Sequence, residues 1–399
     1  MTDPWAAFAR EAEGRDVAGY FEVAPQTGAG AGRAVSFVST DEVREIEPRS
    51  SPDAEARRAA RFLAGGPGRA VIGYLGFDAF GLFEPRLARI PAGSPFPLGA
   101  FAFVDRTRRS RVARRTPPRR PRARARVGRP LEDSLPAAPY ERSVRRLVEE
   151  IRNGEAYQIV LAHRRAWPRP DDLLRRAGEL RASERFAFFY YLRFGDHEIV
   201  GATPESVVEV SGSRAFLNPI AGTIPRGPGG SGRAPLDVDP KELAEHRMLV
   251  DLARNDLGTV ARPGSVRLLS RERLERYARL DHLVTRVGAT LRSGRGPWDA
   301  LAAAFPAGTV SGAPKIRATE LLRREERTWR GPYAGTVGLL EPGGRAIWAL
   351  AIRTAFAAGS RLYTAAGAGI VHRSEPRREF LETLTKLAQV ESTLTEGTG

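Results

Sequence analysis

The sequence contains no cysteine, which excludes several kinds of chemistry at once. Without a thiol the chain forms no disulfide, binds no metal through thiolates and offers no cysteine nucleophile. Any chemistry must therefore come from oxygen and nitrogen groups. The 399 residues are 42% hydrophobic and 28% charged. That composition is typical of a globular protein with about two to three domains' worth of chain, and it excludes wholesale disorder.

Long apolar segments are also missing. The opening residues 1–5 form neither a basic nor an apolar leader region, and the most apolar later stretch, residues 346–359, contains Arg353. The sequence therefore predicts a cytoplasmic protein with no membrane partner.

Lysine is scarce although the chain is strongly basic. Only three of the 63 basic residues are lysines, namely Lys241, Lys315 and Lys386, and the formal net charge is +16. Arginine carries a planar fork and lysine a compact charge, so a chain that avoids lysine is expected to keep it where a fork does not fit. The three lysines are therefore candidate functional residues.

The densest run of arginines lies at residues 106–129, where prolines are interleaved and aromatic residues are missing. This composition predicts a solvated linker or a surface hairpin. A nucleic-acid-binding protein is the alternative from a different functional class. It would need aromatic side chains or a docking helix among the arginines, so we expect no nucleic-acid partner.

The arginine-rich run divides the chain into two parts. Residues 1–135 are predicted to form an α+β N-terminal lobe and residues 139–395 a second domain. In the second domain strand-like runs come in groups instead of alternating with helices, which favours an α+β fold with large mixed sheets over a Rossmann or barrel fold. Helical periodicity is found at residues 240–255, 297–305, 314–326 and 375–392.

Two of these helices carry paired carboxylates. Glu242 and Glu245 are three residues apart on the first, and Glu379 and Glu382 are three residues apart on the last, so each pair shares a helix face. Two such faces, if they converge, offer the oxygen ligands that magnesium prefers. A solvated helix face, or a capping role for Glu242, explains the same spacing.

Two further features indicate an anion-binding site. Gly367, Ala368 and Gly369 follow a predicted strand and would let backbone N–H groups approach an anion, although a turn explains them equally. In the predicted strand 347–356 the large residues alternate onto one face, which leaves Arg353 on the other among alanines. Arginine grips carboxylates bidentately, so its partner is either a substrate carboxylate or an internal acid.

Several longer motifs coincide with those of one known family. Residues 139–395 resemble the chorismate-binding enzymes, and among them most closely the large subunits of anthranilate synthases. The motifs that carry the resemblance are Tyr157-Gln158-Ile159-Val160-Leu161, Pro204-Glu205, Pro219-Ile220-Ala221-Gly222-Thr223, residues 241–256, residues 305–315, Gly331-Pro332-Tyr333-Ala334-Gly335 and residues 366–386. The resemblance implies an anthranilate synthase-type fold, with large sheets packed face to face and covered by helices.

The resemblance also implies a set of site residues. Glu205 would be the general acid that protonates the departing ring hydroxyl of chorismate while ammonia attacks, and His282 and Thr309 would lie by the enolpyruvyl group, with His282 serving the loss of pyruvate. The residues implied to hold magnesium are Glu245 and Glu382, supported by Glu242 and Glu379. The residues implied to bind substrate are Gly222, Thr223, Tyr333, Arg353, Gly367, Ala368, Gly369 and Lys386.

Two positions distinguish members of this family. Members that add water resemble one another in carrying a lysine base where this chain has Gln158, and an amide cannot deprotonate water. Aminodeoxychorismate synthases typically carry a lysine nucleophile where this chain has Ala221. The resemblance therefore favours ortho amination with loss of pyruvate, which gives anthranilate for tryptophan biosynthesis. The alternatives are component I of an aminodeoxychorismate synthase and a homologue that forms aminodeoxyisochorismate.

The chain also departs from the family pattern. Ile224 stands where the family usually has arginine, so an inactive homologue is a further alternative. One segment associated with tryptophan inhibition is missing and another is altered to Ala187-Phe188-Phe189, which predicts weak or absent inhibition. Because glutamine-dependent members use a cysteine glutaminase, the missing cysteine implies ammonia from solution or from a separate glutamine amidotransferase subunit, component II.

Overall fold

The computed structural model describes residues 3–25, 32–40, 42–113, 128–184, 186–225, 240–276 and 280–395. For residues 221–225, 240–242, 273–276 and 280–282 it describes the backbone alone. Most of the arginine-rich run 106–129 therefore lies outside the described residues.

Strands and helices follow one another in groups along the chain. The strands are β1 Val17–Val23, β2 Gly32–Phe37, β3 Glu42–Ile46, β4 Ala70–Leu75, β5 Gly99–Val104, β6 Arg108–Val112, β7 Glu132–Asp133, β8 Gln158–Pro168, β9 Phe188–Phe194, β10 His197–Thr203, β11 Ser206–Ser211, β12 Arg214–Leu217, β13 Ile220–Pro225, β14 Arg267–Arg276, β15 Leu280–Thr290, β16 Gly312–Ala313, β17 Thr336–Glu341, β18 Arg345–Leu350, β19 Thr354–Ala358 and β20 Arg361–Ile370. The helices are α1 Pro4–Ala12, α2 Pro52–Leu63, α3 Ala137–Arg152, α4 Leu173–Ser183, α5 Pro240–Gly258, α6 Pro297–Ala304, α7 Gly308–Ser311, α8 Lys315–Glu326 and α9 Pro376–Leu394, with short 3-10 helices at Phe77–Leu82 and Pro85–Leu87.

The strands form two 10-stranded sheets. The first has the order β16-β8-β20-β19-β10-β9-β1-β2-β6 with β7 beside β8, and the second has the order β13-β15-β12-β11-β18-β17-β4-β5-β3 with β14 beside β15. The predicted α+β fold with large sheets is confirmed. In the described residues every strand pair is antiparallel rather than of mixed direction, because tight connections such as those of β9–β10, β17–β18 and β19–β20 join neighbouring strands.

The two sheets share one core. Phe21 and Tyr190 of the first sheet and Val71 and Leu339 of the second belong to the same buried cluster. Helices α1, α4 and α9 pack on the first sheet, while α2, α5 and α6 pack on the second, as expected for α/β/β/α layers. Among the described helices none is both long and apolar enough to cross a membrane.

Both ends of the chain contribute strands to both sheets. From the N-terminal part, β1, β2 and β6 join the first sheet and β3, β4 and β5 join the second. The registers are continuous across the two parts of the chain, with Tyr20 opposite Tyr191 and Gly73 opposite Gly338. The division into residues 1–135 and 139–395 stays a prediction about the sequence.

Two of the points at which the chain passes from one sheet to the other are adjacent. Glu205 lies where the chain leaves β10 in the first sheet for β11 in the second, and Arg353 lies where it returns from β18 to β19. The N–H of Leu350 donates to the carbonyl of Glu205 at 2.9 Å, and the N–H of Ala202 donates to the carbonyl of Arg353 at 3.3 Å. The two crossings therefore hold each other in place.

The second crossing corrects the sequence prediction. The predicted strand 347–356 is wrong, because β18 ends at Leu350, β19 begins at Thr354, and Arg353 takes a left-handed backbone with φ of 50°. The apolar alternation continues through the crossing because both strands are buried. Arg353 thus owes its place to a bend between sheets and not to one face of a strand.

Gly335 offers a test of the contact between the N-terminal strands and the crossing. A Cβ at this position would lie 2.2 Å from the carbonyl oxygen of Leu75 and 2.8 Å from the Cα of Gly76. We expect Gly335→Ala to lower the free energy of unfolding by about 1–3 kcal/mol, because backbone atoms must move to admit the methyl group.

Urea unfolding followed by circular dichroism measures this change. Gly258→Ala is the matched control, since a Cβ there meets no atom within 4 Å. Equal stability of Gly335→Ala and the control would contradict the packing described here.

Candidate active site

Several predicted site residues meet beside the two crossings. Glu205 and Arg353 lie in the crossings themselves, and the positive charges of Arg353 and Lys386 both act on the Glu205 carboxyl. The segment that carries Tyr333 is tied to the second crossing, since the N–H of Ala334 donates to the carbonyl of Ala351 at 2.9 Å. Residues far apart in sequence thus converge where the chain passes between the two sheets.

The Glu205 carboxyl is the most perturbed acid of this group. Its residue is 8% exposed, and the hydroxyl of Thr309 donates to its Oε1 at 2.8 Å. Burial raises the pKa of Glu205 to about 7, although the Thr309 hydrogen bond and the charges of Arg353 and Lys386 act in the opposite direction. A carboxyl with this pKa can both hold and release a proton near neutral pH.

Tyr333 and Gly367 lie in direct contact. Burial raises the pKa of Tyr333 to about 12, opposed by the charge of Arg330 and by the backbone N–H of Gly367. A Cβ at position 367 would lie 3.2 Å from the Tyr333 hydroxyl and 3.1 Å from the carbonyl of Leu161. Glycine therefore leaves room beside a hydroxyl that keeps its own proton.

Gly367, Ala368 and Gly369 do not form a turn. All three lie inside β20, where they are opposite Ala162, Leu161 and Val160 of β8. The turn interpretation is wrong, because antiparallel pairing carries the strand on to Ile370. The side chain of Gln158 fills the space beside Gly369, since a Cβ there would lie 2.5 Å from its Nε2.

The Gln158 amide was not predicted as a site residue. Its Oε1 is buried and has no hydrogen-bond partner in the structure. An unpaired buried acceptor at this position is available to a ligand that brings a donor. The sequence carries no periodic signal for it, because Gln158 is simply the first residue of β8.

Lys386 links the glycine-rich strand to an acidic helix. Its Nζ donates to the carbonyl of Gly367 at 2.8 Å and pairs with Glu382 Oε1 at 2.8 Å. The Lys386 and Glu382 side chains are half exposed, so this middle part of α9 is open to solvent while it reaches the site. A positive and a negative group are thereby placed beside each other, where both remain accessible to an anionic ligand or a cation.

The candidate donor set for a metal ion consists of carboxylates. Glu379 and Glu382, together with burial as the largest cause, raise the pKa of Tyr140 well above its ordinary value, which places both acids near this tyrosine. Among residues whose side chains are described, no three acids or histidines lie close enough to hold a metal alone. Such a donor set fits magnesium, which commonly takes one or two protein carboxylates and completes its shell with substrate oxygens. The convergence of Glu245 on α5 with Glu382 stays a prediction.

Some predicted site residues are described only in part. Only the backbone is described for Gly222, Thr223, Lys241, Glu242 and His282. Their backbones are nevertheless informative, because β13 and β15 pair with Thr223 directly opposite His282. The two residues that the family resemblance assigns to the substrate therefore share one pair of strands.

Arg330 is a buried residue that the sequence prediction missed. Its guanidinium donates to Glu326 in two hydrogen bonds and to the carbonyls of Val160 and Val310, each at 2.7 Å, and it lies 4.3 Å from the centre of the Phe77 ring. In a chain with so many arginines, one more carries no signal. The abundance of arginine therefore conceals a side chain that joins α8 to the segments around Val160 and Val310.

Two of the described arginines near the start of the arginine-rich run form ion pairs. Arg108 in β6 pairs with Glu11 at 2.8 Å, and Arg109 pairs with the buried Glu341 at 3.4 Å. Residues 114–127, on which the nucleic-acid alternative depends, lie outside the described residues. The described part of this run therefore serves to join β6 to its neighbours.

Known proteins share both the sequence and the fold. Residues 16–392 match the family described as chorismate binding enzyme. Anthranilate synthase component 1 from Streptomyces coelicolor is 38% identical, over 96% of this chain and 84% of that protein. The crystal structure of anthranilate synthase component I from Streptococcus pneumoniae matches with a TM-score of 0.78 at 27% identity, covering 92% of this chain and 93% of the other.

A second relative carries a different name. The 2-amino-4-deoxychorismate synthase from Streptomyces globisporus is 41% identical over 64% of this chain and 52% of that protein. The matched part is thus about half of that relative's length. Relatives of similar identity therefore differ in the product for which they are named.

The ionisation of Glu205 can be tested directly. We expect its carboxyl to titrate with a midpoint near pH 7, as burial dictates. Thr309→Val should move the midpoint upward by about one pH unit, because it removes a hydrogen bond that favours the charged carboxylate.

Infrared difference spectra of the protein labelled at glutamate carboxyls, recorded with and without Glu205→Gln, isolate this titration. A midpoint near the ordinary value of a glutamate would contradict the burial of Glu205. A downward shift in Thr309→Val would contradict the hydrogen bond.

Proposed function

Because the chain belongs to the chorismate-binding enzyme family, we propose that it aminates chorismate with ammonia and eliminates pyruvate, which gives anthranilate. The observation that carries the proposal is the buried Glu205 carboxyl, which is hydrogen-bonded to Thr309 and has a pKa raised to about 7 by its burial. A general acid requires a pKa near the operating pH. Glu205 meets this requirement, and it lies where the chain passes from the first sheet to the second.

In the proposed reaction Glu205 donates its proton to the ring hydroxyl of chorismate. That hydroxyl leaves as water while the lone pair of ammonia forms the new bond to the ring carbon. The attached nitrogen then loses a proton, which restores the protonated Glu205. His282 assists the removal of the ring proton that accompanies the loss of pyruvate, and the ring becomes aromatic.

Tyr333 and Arg353 are proposed to bind the enolpyruvyl carboxylate. The Tyr333 hydroxyl keeps its proton because burial raises its pKa to about 12, so it can donate to an anion. Arg353 adds a guanidinium, which suits carboxylates through paired hydrogen bonds. Lys386 is proposed to lie near the ring carboxylate, and the remaining substrate contacts are assigned to Gly222, Thr223, Gly367, Ala368 and Gly369.

Two carboxylates are proposed to hold magnesium, and two more are proposed to support them. Glu245 and Glu382 would be the ligands, with Glu242 and Glu379 beside them. When bound, the ion supplies the positive charge that anchors the ring carboxylate. The contact between Glu382 and Lys386 supports this arrangement, since it keeps the carboxylate next to the strand that carries Gly367.

A glutamine amidotransferase subunit is proposed as the source of ammonia. The name component 1 carried by the Streptomyces coelicolor relative implies a further component. A cysteine-dependent glutaminase cannot be formed from this sequence, which contains no cysteine. Ammonia would then enter either from that partner or directly from solution.

A second candidate reaction ends at the aminated ring without loss of pyruvate. The relative named 2-amino-4-deoxychorismate synthase, at 41% identity, favours this candidate. The two reactions share amination and differ only in the later elimination, for which His282 is proposed. Product analysis therefore separates them, since only anthranilate is aromatic.

The purified chain, supplied with chorismate, magnesium and an ammonium salt at alkaline pH, should produce fluorescent anthranilate without any partner. Glu205→Gln should lower turnover by at least about a hundredfold while chorismate binding is retained, because an amide holds the place of the acid without donating its proton. Glu149→Gln, at an exposed position of α3, is the matched control.

Liquid chromatography of the products decides between the candidates. A nonaromatic aminated product would favour the second reaction, and para-aminobenzoate after addition of a lyase would replace both candidates with para amination. Normal turnover in Glu205→Gln would remove it as the acid.

Glu382→Gln should raise the magnesium concentration needed for half-maximal activity by at least about tenfold, because an amide oxygen is a weaker ligand than a carboxylate. Titration of activity with magnesium measures the change. Glu375→Gln, just before α9, is the control, and an equal magnesium requirement in both variants would show that Glu382 is not a ligand.

A further inference from the structure

Lys315 has no role in the proposed reaction, yet this chain keeps one of its three lysines there. Its side chain is 11% exposed. The Nζ atom lies 3.0 Å from Asp256 Oδ2, 3.1 Å from the carbonyl oxygen of Ala304 and 3.4 Å from that of Ala303. Three acceptors therefore converge on one buried ammonium group.

These contacts tie together the two ends of the segment that carries Thr309. Ala303 and Ala304 are the last residues of α6, and Lys315 is the first residue of α8. Residues 305–314 lie between them and carry Thr309 near their middle. The ammonium group thus joins the two ends of the segment that presents the Thr309 hydroxyl to Glu205.

The same contacts also attach this segment to α5. Asp256 lies near the end of α5, and Leu252 one turn earlier packs on Gly308, where a Cβ would lie 2.2 Å from Leu252 Cδ2. A small cavity of about 30 Å³ is lined by Asp256, Gly308, Thr309 and Glu205 among others. The proposed general acid and Asp256, the partner of Lys315, therefore line the same small space.

The geometry explains why a lysine is kept here. A helix end offers carbonyls along its axis, while Asp256 approaches from a different helix. Lysine presents three donors around a compact charge, whereas the donors of arginine are fixed in one plane. An arginine at 315 would be expected to satisfy only part of this set.

We propose that Lys315 is a positioning residue, which holds the Thr309 hydroxyl on the Glu205 carboxyl by joining both ends of residues 305–314 to α5. Its consequence for turnover rests on the proposed function, because it acts through the proposed general acid. The positioning itself is a property of the free protein.

Other charged groups also surround Glu205. Arg353 from the second crossing and Lys386 from α9 act on the Glu205 carboxyl, and Asp256 from α5 lines the same cavity. Burial raises the pKa of Asp256, and Lys315 opposes that rise. Removal of Lys315 alone would leave a buried carboxylate without its partner, so both members of the pair are best removed together.

The test is the Glu205 titration in the protein that carries Lys315→Met together with Asp256→Asn. This change removes one positive and one negative charge, keeps the length of the side chain at 256 and shortens that at 315 by one atom. We expect the Glu205 midpoint to rise by about one pH unit, as in Thr309→Val, because the hydrogen bond is weakened in both. Adding Thr309→Val to the pair should give no further rise.

A control pair lies on the same helix. Arg254→Met with Asp251→Asn removes an exposed ion pair of α5 and should leave the Glu205 midpoint unchanged. An unchanged midpoint in the Lys315 and Asp256 pair would overturn the proposal. A rise that adds to that of Thr309→Val would overturn it as well, because a direct charge effect would not need the Thr309 hydroxyl.

A more conservative variant guards against loss of folding. Lys315→Arg keeps the charge next to Asp256 and should still raise the midpoint, by a smaller amount, because the planar fork cannot meet all three acceptors. An unchanged midpoint in this variant, with Thr309→Val shifted, would count against positioning by Lys315. The titration needs no turnover, so absence of anthranilate would defeat the proposed function and leave this result readable.

If the enzyme is active, the same variants give a kinetic readout. In Lys315→Met with Asp256→Asn, kcat at constant free ammonia should fall while KM for chorismate stays near that of the unmodified protein. The high-pH limb of the pH–rate profile should shift to higher pH, together with the Glu205 midpoint. A matched loss of kcat and binding, with an unmoved profile, would indicate general damage and overturn the assignment.

Discussion

The site depends on a backbone constraint, namely the two adjacent crossings, β10 to β11 and β18 to β19, at which the chain passes between its two sheets. Each crossing donates a peptide N–H to the other, from Leu350 to the carbonyl of Glu205 and from Ala202 to that of Arg353. Buried backbone groups rarely go unpaired, so neither crossing can move without leaving the other unsatisfied. The backbone at an acid, Glu205, and at a cation, Arg353, is thereby fixed by hydrogen bonds that involve no side chain.

Burial raises the proton affinity of two side chains of the site. Glu205 and Tyr333 are both removed from water, and for both the largest effect is to favour the neutral form. The pKa of Glu205 comes to about 7 and that of Tyr333 to about 12. One group can therefore exchange a proton at neutral pH, while the other keeps its proton and serves only to hydrogen-bond. The two groups differ because a carboxyl and a phenol start from different ordinary pKa values, and burial then moves the carboxyl to neutral pH and the phenol further above it.

Local patterns predicted most of the elements, and they failed where an element depends on the other sheet. The four predicted helices agree with α5, α6, α8 and α9 to within a few residues, because their apolar periodicity reports one buried face. Apolar alternation at 347–356 does not reveal the crossing, since residues are buried on both sides of it. Gly367 to Gly369 were open to a turn because a strand buried against β8 and Tyr333 also requires small residues.

The candidate site was only partly within reach of the sequence for a different reason. Scarcity made Lys315 and Lys386 visible, and both proved to hold several acceptors around one ammonium group. Abundance had the opposite effect on Arg330, whose buried contacts to Glu326 and Val310 distinguish it from the many arginines at the surface. The importance of Gln158 could be predicted only through the family resemblance. Its buried Oε1 has no hydrogen-bond partner, and the amide offers no base at this position. An amide accepts or donates a hydrogen bond but cannot take a proton from water, whereas ammonia attacks with its own lone pair and needs no base. The acid proposed for the leaving hydroxyl and the amide at Gln158 therefore support the proposed attack by ammonia.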